Sequence, residues 1–209
     1  MRGSLILIEG LDRSGKLTQA EILAKKLDAD LVKFPDRLTP IGQIINRYLT
    51  DKTFDLPDQS AHLLFSANRW ELAKLLEEKL LSGKSIVMDR YIYSGIAYSL
   101  AKKGAEMDSY DWLYGPDRGL PKPDLTLFLT ISLEELSSRK GYGEERYEQI
   151  EFQKKVKECF LNILDLKDPA IAIVDVQGLP IEPVTAKLWS EVESRALHQP
   201  IDREISHFS

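Results

Sequence analysis

Residues 9–19 constrain the fold of this chain more than any other segment. They read Glu-Gly-Leu-Asp-Arg-Ser-Gly-Lys-Leu-Thr-Gln, and they lie between the apolar run Leu5–Ile8 and a helical pattern. A strand, a glycine-bounded loop, a lysine and a helix, in that order, build a loop that binds nucleotide phosphates. Gly10 and Gly15 let the backbone turn with its N–H groups pointing inward. The helix N-terminus and Lys16 add positive charge, so the segment predicts a nucleoside triphosphate site.

Leu17 departs from this pattern. The residue after the Gly-Lys pair of such loops is normally Ser or Thr, whose hydroxyl binds Mg²⁺. The alternative interpretation is an ordinary strand-to-helix turn that contains glycines. The spacing of the two glycines, the adjacent lysine and the flanking strand and helix favour the phosphate loop.

Short apolar runs alternate with longer helical patterns along the chain. The apolar runs are Leu5–Glu9, Leu31–Phe34, Ser85–Asp89, Leu125–Leu129 and Ile171–Val176. The helical patterns are Leu17–Leu27, Pro40–Leu49, Gln59–Leu81, Tyr93–Lys103, Leu133–Ser138, Glu148–Leu164 and Ile181–Ala196. Because the apolar runs do not alternate with polar residues, they suit parallel strands covered on both faces. The order predicts an α/β fold, a doubly wound sheet of five parallel strands flanked by helices.

Composition limits the classes of protein to which the chain can belong. With 209 residues, 43% of them hydrophobic, it can bury one core, and we expect a single domain over residues 1–209. A net charge of −5 argues against a nucleic-acid partner. No apolar run is long enough to span a membrane or to form a signal peptide. The segment His198–Ser209 has mixed polarity, and we expect it to be poorly ordered.

The only cysteine, Cys159, cannot form an internal disulfide bond. It falls in an amphipathic pattern, which favours a buried structural thiol over a nucleophile. A reducing, cytosol-like compartment fits this usage, with the nucleus as the alternative.

Asp89 and Arg90 follow an apolar run, at the end of a strand where open α/β sheets place their ligands. A carboxylate there can hold Mg²⁺, directly or through water, beside bound phosphates. A surface ion pair that ends the strand is the alternative. Tyr91, Ser94 and Tyr98 share one helix face downstream, where they either line a pocket or belong to the core.

The helical pattern around residues 62–70 offers two faces. Leu63, Ala67 and Trp70 form one stripe, which we expect to be the core face. Phe65 and Arg69 form another, and an aromatic ring one turn from an arginine can stack on a planar base and hydrogen-bond to its edge. A packed phenylalanine beside a solvated arginine is the commoner explanation of such a pair.

Two further segments carry candidate ligand-binding residues. Arg37 follows Phe34 at the end of the second predicted strand, where it either clamps an acceptor phosphate or lies on the surface. Residues 139–148 are charged and glycine-hinged, which is typical of a solvated loop or of a mobile lid over phosphates.

Taken together and in order, these segments resemble thymidylate kinases of the eukaryotic, and especially the fungal, form. The segments are Gly10–Gln19, Phe34–Arg37, His62–Trp70, Asp89–Tyr98, Asp111–Trp112, Gly119–Leu129 and Gly141–Glu148. The resemblance implies a three-layer P-loop NTPase fold with a small lid at about 139–148. It also implies transfer of the γ-phosphoryl group of ATP to dTMP, giving dTDP and ADP, with Mg²⁺ as cofactor and a homodimer as the assembly.

The same resemblance implies a role for each site residue. ATP is held by Lys16 with the loop residues Gly10, Ser14, Gly15 and Thr18, with Lys140 near adenine, while Arg13 bridges the donor and acceptor phosphates. Arg37 and Arg90 bind the monophosphate, Asp12 the 3′-hydroxyl, and Phe65 and Arg69 the base. Tyr98 excludes a 2′-hydroxyl. Phe34, Ser94, Glu145, Tyr147 and Gln153 line the dTMP site, and Asp89 holds the metal.

Other functions compete with this one. A kinase for another pyrimidine nucleotide or nucleoside is the first alternative. A GTPase-type switch is disfavoured because the chain contains no Asn-Lys-x-Asp sequence. An impaired homologue is the third, because Leu17 removes a metal ligand.

Leu38 raises the same question as Leu17, because members of the resembled family usually carry Ser or Thr at both places. Some yeasts read the CUG leucine codon as serine. We therefore hypothesise that the native protein has serine at both positions.

Overall fold

The structure, a computed structural model, describes residues 1–102, 110–138 and 146–209. The strands are β1 (Leu5–Gly10), β2 (Asp30–Lys33), β3 (Ile86–Asp89), β4 (Leu125–Thr130) and β5 (Ile171–Asp175). The helices are α1 (Lys16–Lys26), α2 (Pro40–Thr50), α3 (Asp58–Leu81), α4 (Ile92–Lys102), α5 (Tyr110–Tyr114), α6 (Leu133–Ser138), α7 (Ile150–Ile163) and α8 (Ile181–Ser194). A 3₁₀ turn covers Gly115–Asp117. The sequence pattern did not predict α5.

The five strands form one parallel sheet in the order β2-β3-β1-β4-β5, flanked by helices, which confirms the predicted fold class. All six residues of β1 are buried because helices cover both faces of the sheet at its centre. On β1, Ile8 pairs in register with Asp89 of β3. The loop after β1 and the residues after β3 therefore emerge side by side at the carboxyl edge of the sheet.

The edge strands differ from the prediction. We expected Leu31–Phe34 to be buried throughout, but β2 ends at Lys33 and its residues alternate between half-buried and exposed. Leu31 keeps 39% of its surface exposed. The reason is position, because β2 lies at one edge of the sheet, where neighbouring elements cover it less completely.

The prediction for the core face of α3 was wrong. Leu63 and Trp70 are 46% and 44% exposed, and the buried face carries polar side chains such as His62 and Asn68. His62 lies between the hydroxyl of Ser99 and the carbonyl oxygen of Leu113, each at 2.7 Å. Polar groups can be buried here because the facing segments supply hydrogen-bond partners.

Residues 198–209, expected to be poorly ordered, pack against the body of the protein. Phe208 is 6% exposed and belongs to the main hydrophobic core. Arg203 joins Arg2 on the buried carboxylate of Asp124, with N–O distances of 2.8 and 2.7 Å. The ion pairs of Arg2 and Arg203 with Asp124 and the burial of Phe208 hold this segment in place, and the mixed polarity of its sequence gave no sign of these contacts.

The structure bears on two expectations drawn from composition, the burial of Cys159 and the lack of a membrane span. Cys159 is half-buried on α7 and packs against the core rather than being fully buried. Within the described ranges, no helix is both long and apolar enough to cross a membrane.

Candidate active site

The loop between β1 and α1 has the form predicted from its glycines. Gly10 has a φ of 150°, and a Cβ atom there would lie 2.8 Å from the carbonyl oxygen of Leu129 and 2.9 Å from the hydroxyl of Ser14. Gly15, the N-cap of α1, is in the left-handed region with a φ of 94°. A side chain at Gly10 would force the loop to move, and one at Gly15 would be strained by the backbone conformation, so both turns favour glycine.

Lys16 points into the loop. Its side chain is buried, and its Nζ atom donates a hydrogen bond to the carbonyl oxygen of Leu11 at 2.6 Å. Burial, reinforced by the positive charge of Arg90, lowers the pKa of Lys16 to about 8, against the opposing effect of Asp89 and other carboxylates. An incoming phosphate would replace the carbonyl oxygen as a stronger partner for the ammonium group.

Asp12 contacts three side chains from different parts of the chain. It pairs with the guanidinium of Arg90, and it accepts hydrogen bonds from the hydroxyl of Tyr98 and from Nε2 of Gln153, each at 2.8 Å. Burial alone would raise the pKa of Asp12, but the charges of Arg90 and Lys16 outweigh it and lower the pKa below its usual value. The carboxylate is therefore held ionised between the phosphate loop and the pocket.

Glu9 is a site residue that the sequence reasoning did not single out. Its buried carboxylate accepts hydrogen bonds from the hydroxyl of Ser94 at 2.5 Å and from the backbone N–H groups of Tyr91 and Ser94 at 2.9 and 3.1 Å. Burial raises its pKa. The acid fixes the start of α4 and so positions Arg90, whose φ is 69°. An acidic residue ending an apolar strand was the available signal.

Asp89 lies at the end of β3, next to the phosphate loop. It is 4% exposed, and its Oδ1 atom is buried without a hydrogen-bond partner in the described structure. A buried, unpartnered carboxylate oxygen is costly unless a ligand completes it. No cluster of three or more metal-ligating side chains occurs among the described residues, so any cation here would take its other ligands from elsewhere.

A cavity of about 110 Å³ opens beside the loop. Nine of the residues predicted to bind the acceptor line it: Asp12, Phe34, Arg37, Phe65, Arg69, Arg90, Ser94, Tyr98 and Tyr147. Gln153 lies behind this wall and reaches it through Asp12 and Tyr98. The cavity also takes in His62, Ser99 and Lys102, which were not among the predicted site residues, and Glu148, the last residue of the predicted lid.

Arg69 is fixed in the cavity wall by a buried ion pair. Its Nε and Nη2 atoms donate to the two carboxylate oxygens of Asp117 at 3.0 and 2.7 Å. Asp117 also accepts a hydrogen bond from Ser66 at 2.7 Å. A Cβ atom on Gly95 would lie 2.9 Å from the guanidinium nitrogens, so a side chain there would displace the guanidinium from this ion pair. The solvated arginine that spacing alone favoured is excluded.

Two aromatic side chains form apolar parts of the cavity. Phe65 packs in a second hydrophobic cluster with residues that include Tyr48 and Leu49. Phe34 packs against Tyr91, with 5.5 Å between ring centroids. The cavity thus combines flat apolar walls with charged groups, as a nucleotide requires.

Arg37 lines the cavity, and its Nη1 atom donates to Asn46 at 3.0 Å. Asn68, another residue that the sequence reasoning missed, hydrogen-bonds to the backbone of Asp36 on both sides, at 2.8 and 3.0 Å. It therefore fixes the backbone that carries Arg37. The signal was a carboxamide one residue before Arg69 in the middle of a helix.

Arg13 extends from the other side of the loop. Its φ is 62°, and its Nε atom donates to Glu148 at 3.1 Å. The hydroxyl of Ser14 is buried without a partner in the described structure, and Thr18 lies exposed on the first turn of α1. Lys140 and Glu145, with most of the predicted lid at 139–148, lie outside the described residues.

A family model described as thymidylate kinase matches residues 8–188. The chain belongs to the thymidylate kinase family. The thymidylate kinase of Schizosaccharomyces pombe is 42% identical over 208 residues, covering 96% of this chain and 97% of that protein. The human thymidylate kinase is 47% identical over 168 residues, covering 78% and 77%. A solved thymidylate kinase from Candida albicans is 58% identical, with a TM-score of 0.97, and the match covers 100% of this chain and 99% of that one.

Family membership establishes the reaction. The chain is a dTMP kinase, which phosphorylates dTMP to dTDP with ATP as the donor. The alternatives of a GTPase-type switch and of a kinase for another acceptor are thereby set aside.

Proposed function

We propose that the cavity is the dTMP site, that the loop after β1 holds the ATP phosphates, and that phosphoryl transfer takes place between them. One observation carries this assignment. Arg90 lines the cavity and also reaches the phosphate loop, donating to the carbonyl oxygen of Gly10 at 3.4 Å. A phosphate on the acceptor side of Arg90 would therefore face a phosphate held by the loop.

The cavity residues assign the acceptor. Phe65 supplies the surface on which thymine stacks, and Arg69 supplies hydrogen-bond donors for its edge. Arg37 and Arg90 provide two guanidinium groups for the monophosphate. Phe34, Ser94, Tyr147 and Gln153 shape the pocket around them.

Two residues are assigned to the sugar. Asp12 offers an ionised acceptor for the 3′-hydroxyl. Tyr98 is held in place by its hydrogen bond to Asp12 and occupies the space that a 2′-hydroxyl would need. Together they select deoxyribose.

The phosphate loop assigns the donor. Its backbone N–H groups, between Gly10 and Gly15, would bind phosphate oxygens, with Lys16 as the full positive charge. Ser14 and Thr18 add hydroxyl groups. Arg13 extends from the loop and neutralises charge that grows between donor and acceptor in the transition state. The protein aligns the two nucleotides and stabilises that charge.

Mg²⁺ belongs to this proposal, and the residues present fit it. The unpartnered Oδ1 atom of Asp89 beside the loop is the group that would hold it, directly or through water. The ion would supply neutralisation of the phosphate oxygens. Only one protein carboxylate is needed because Mg²⁺ usually takes its other ligands from phosphates and water.

A homodimer is the assembly that we propose. Leu63 and Trp70, seven residues apart, expose large apolar surfaces on the same side of α3. Apolar side chains exposed together on one helix face suit a contact with a second copy of the chain. For the compartment we propose the cytoplasm, with the nucleus as the alternative, because a chain with a single cysteine is typical of a reducing compartment.

A pair of phenylalanine variants tests the site. Phe65→Ala removes a stacking surface worth about 1–3 kcal/mol, so KM for dTMP should rise roughly 5- to 150-fold while KM for ATP stays constant. Phe54→Ala is the matched control, because Phe54 packs in the same hydrophobic cluster but does not line the cavity. Initial rates with dTMP, dUMP, dCMP and thymidine as acceptors would measure both effects. Equal losses in the two variants would show that Phe65 supports the fold and does not contact the base.

A further inference from the structure

The residues at 206–208 pair with the segment that follows Asp117. The N–H of Gly119 donates to the carbonyl oxygen of Phe208 at 2.8 Å, and the N–H of Phe208 donates to Leu120 at 3.0 Å. The N–H of Lys122 donates to Ser206 at 2.7 Å. These bonds join two stretches more than 80 residues apart, so the shape of the 119–122 segment depends on residues 206–208.

The ring of Phe208 packs beneath this pairing. It is 6% exposed, and its centroid lies 6.1 Å from those of Tyr91, Tyr93 and Tyr114. His207 pins the same segment to α3 through Glu77, at 2.9 Å. Phe208 is therefore the buried anchor of the pairing.

The contact reaches the dTMP cavity along two routes. Asp117, whose carboxylate holds Arg69, ends the turn just before the paired segment, and the N–H of Leu120 bonds back to the carbonyl oxygen of Asp117 at 3.2 Å. The second route is Tyr91, whose ring lies between Phe208 and Phe34.

The environment of the Tyr91 hydroxyl supports the second route. It is buried without a hydrogen-bond partner among the described residues, so no hydrogen bond from this hydroxyl fixes the ring, which packs against Phe34 and Phe208. A ring held only by packing follows its neighbours when one of them is removed.

We propose that Phe208 is a positioning residue for the dTMP site, acting through Asp117 on Arg69 and through Tyr91 on Phe34. Its side chain does not line the cavity. Its ring and backbone hold the turn that orients the base-reading guanidinium and the wall beside it. The inference rests on the proposed function, because it takes the cavity to be the dTMP site.

Three variants test the inference. Phe208→Ala should raise KM for dTMP about 2- to 30-fold, the range found for side chains that act on a site through packed neighbours, and leave KM for ATP unchanged. Hydrogen exchange at the N–H groups of Gly119 and Lys122 should become faster. Phe208→Leu keeps part of the packing and should restore most of the dTMP affinity. Leu197→Ala, which removes another buried apolar side chain after α8, should change neither KM value.

The outcomes separate the two proposals. If Phe208→Ala left KM for dTMP unchanged, or raised both KM values equally as general destabilisation would, the positioning role would be refuted. A large dTMP effect of Phe65→Ala in the same assay would then show that the proposed site still stands. If Phe65→Ala also left dTMP binding unchanged, the site assignment itself would fail, and the inference with it.

Discussion

Replacing Leu17 with serine should raise activity while lowering stability. Leu17 lies on the first turn of α1, one residue after Lys16, and is 37% exposed, so about two-thirds of its surface is buried. Full burial of a leucine is worth about 1.5–3 kcal/mol, so Leu17→Ser should lower the free energy of unfolding by about 1–2 kcal/mol. That corresponds to a fall in Tm of roughly 2–8 °C for a chain of this size.

The gain in activity comes from a different source. A serine hydroxyl after the loop lysine can hold the metal of MgATP, and one such polar interaction is worth about 1–3 kcal/mol, or roughly 5- to 150-fold in rate. Initial rates over a Mg²⁺ titration would measure it, and we expect a higher kcat and saturation at lower Mg²⁺.

Leu38→Ser is the control for the loss of a leucine. Leu38 is 87% exposed, so its replacement should leave Tm nearly unchanged and add less activity. Equal activity before and after Leu17→Ser would refute the metal-ligand reasoning. A peptide from the native protein whose mass shows leucine at either position would refute the codon hypothesis for that position.

Three further predictions concern the same site. Arg13→Ala should lower kcat roughly 100-fold or more, because the guanidinium stabilises charge that peaks in the transition state; steady-state kinetics that showed a change in KM alone would contradict this. Tyr98→Ala should narrow the preference for dTMP over its ribonucleotide in competition assays, whereas Tyr98→Phe, which keeps the ring, should not; an unchanged ratio in Tyr98→Ala would return Tyr98 to the core. The pKa of Lys16 lies near 8 in the free enzyme, below its ordinary value of 10.5, so the lysine is neutral above pH 8 and ATP must bind together with a proton. ATP affinity should therefore fall about tenfold per pH unit above pH 8, with proton uptake that calorimetry in two buffers detects and that Lys16→Met abolishes.

The lowered pKa of Lys16 also makes the free energy of unfolding depend on pH. Below pH 8 the lysine is charged in the folded and unfolded chains, and its burial costs free energy. Between pH 8 and 10.5 the unfolded chain holds the proton that the folded chain has lost, so this contribution becomes less unfavourable as pH rises. Phosphate binding opposes this trend, because it favours the charged form.

The sequence predicted the parts of the molecule that depend on the spacing of residues close together in the chain. The two glycines, the lysine and the flanking apolar run predicted the phosphate loop, because turn geometry and helix-terminus charge act within a few residues. The apolar runs predicted the parallel sheet, because a short run without polar alternation is typical of a strand that is covered on both faces. Residues such as Phe65 and Arg37, which line one cavity, were proposed from resemblance, since spacing alone left each of them open to a structural explanation.

The parts that spacing could not give depend on contacts between distant segments. Arg69 is buried because Asp117 meets it from a turn 48 residues away, and no pattern within α3 contains that partner. For the same reason the polar face of α3, rather than the stripe with Leu63, is buried. Glu9 was missed because an acid that ends a strand is recognised as an anchor only once Ser94 lies opposite it.

The two arginines assigned to phosphoryl transfer have a consequence for how this protein can evolve. Arg13 and Arg90 both lie in the left-handed region, at φ values of 62° and 69°, which costs a residue with a side chain about 1–2 kcal/mol. Glycine avoids that cost and gives back only about 0.5–1 kcal/mol through its freer unfolded state, but at position 13 it would also remove the ion pair to the buried carboxylate of Glu148. The backbone at position 13 therefore favours glycine, while the carboxylate that faces it favours a cation. A library selected for heat resistance without selection for turnover should accumulate glycine at position 13 only together with a change that neutralises Glu148.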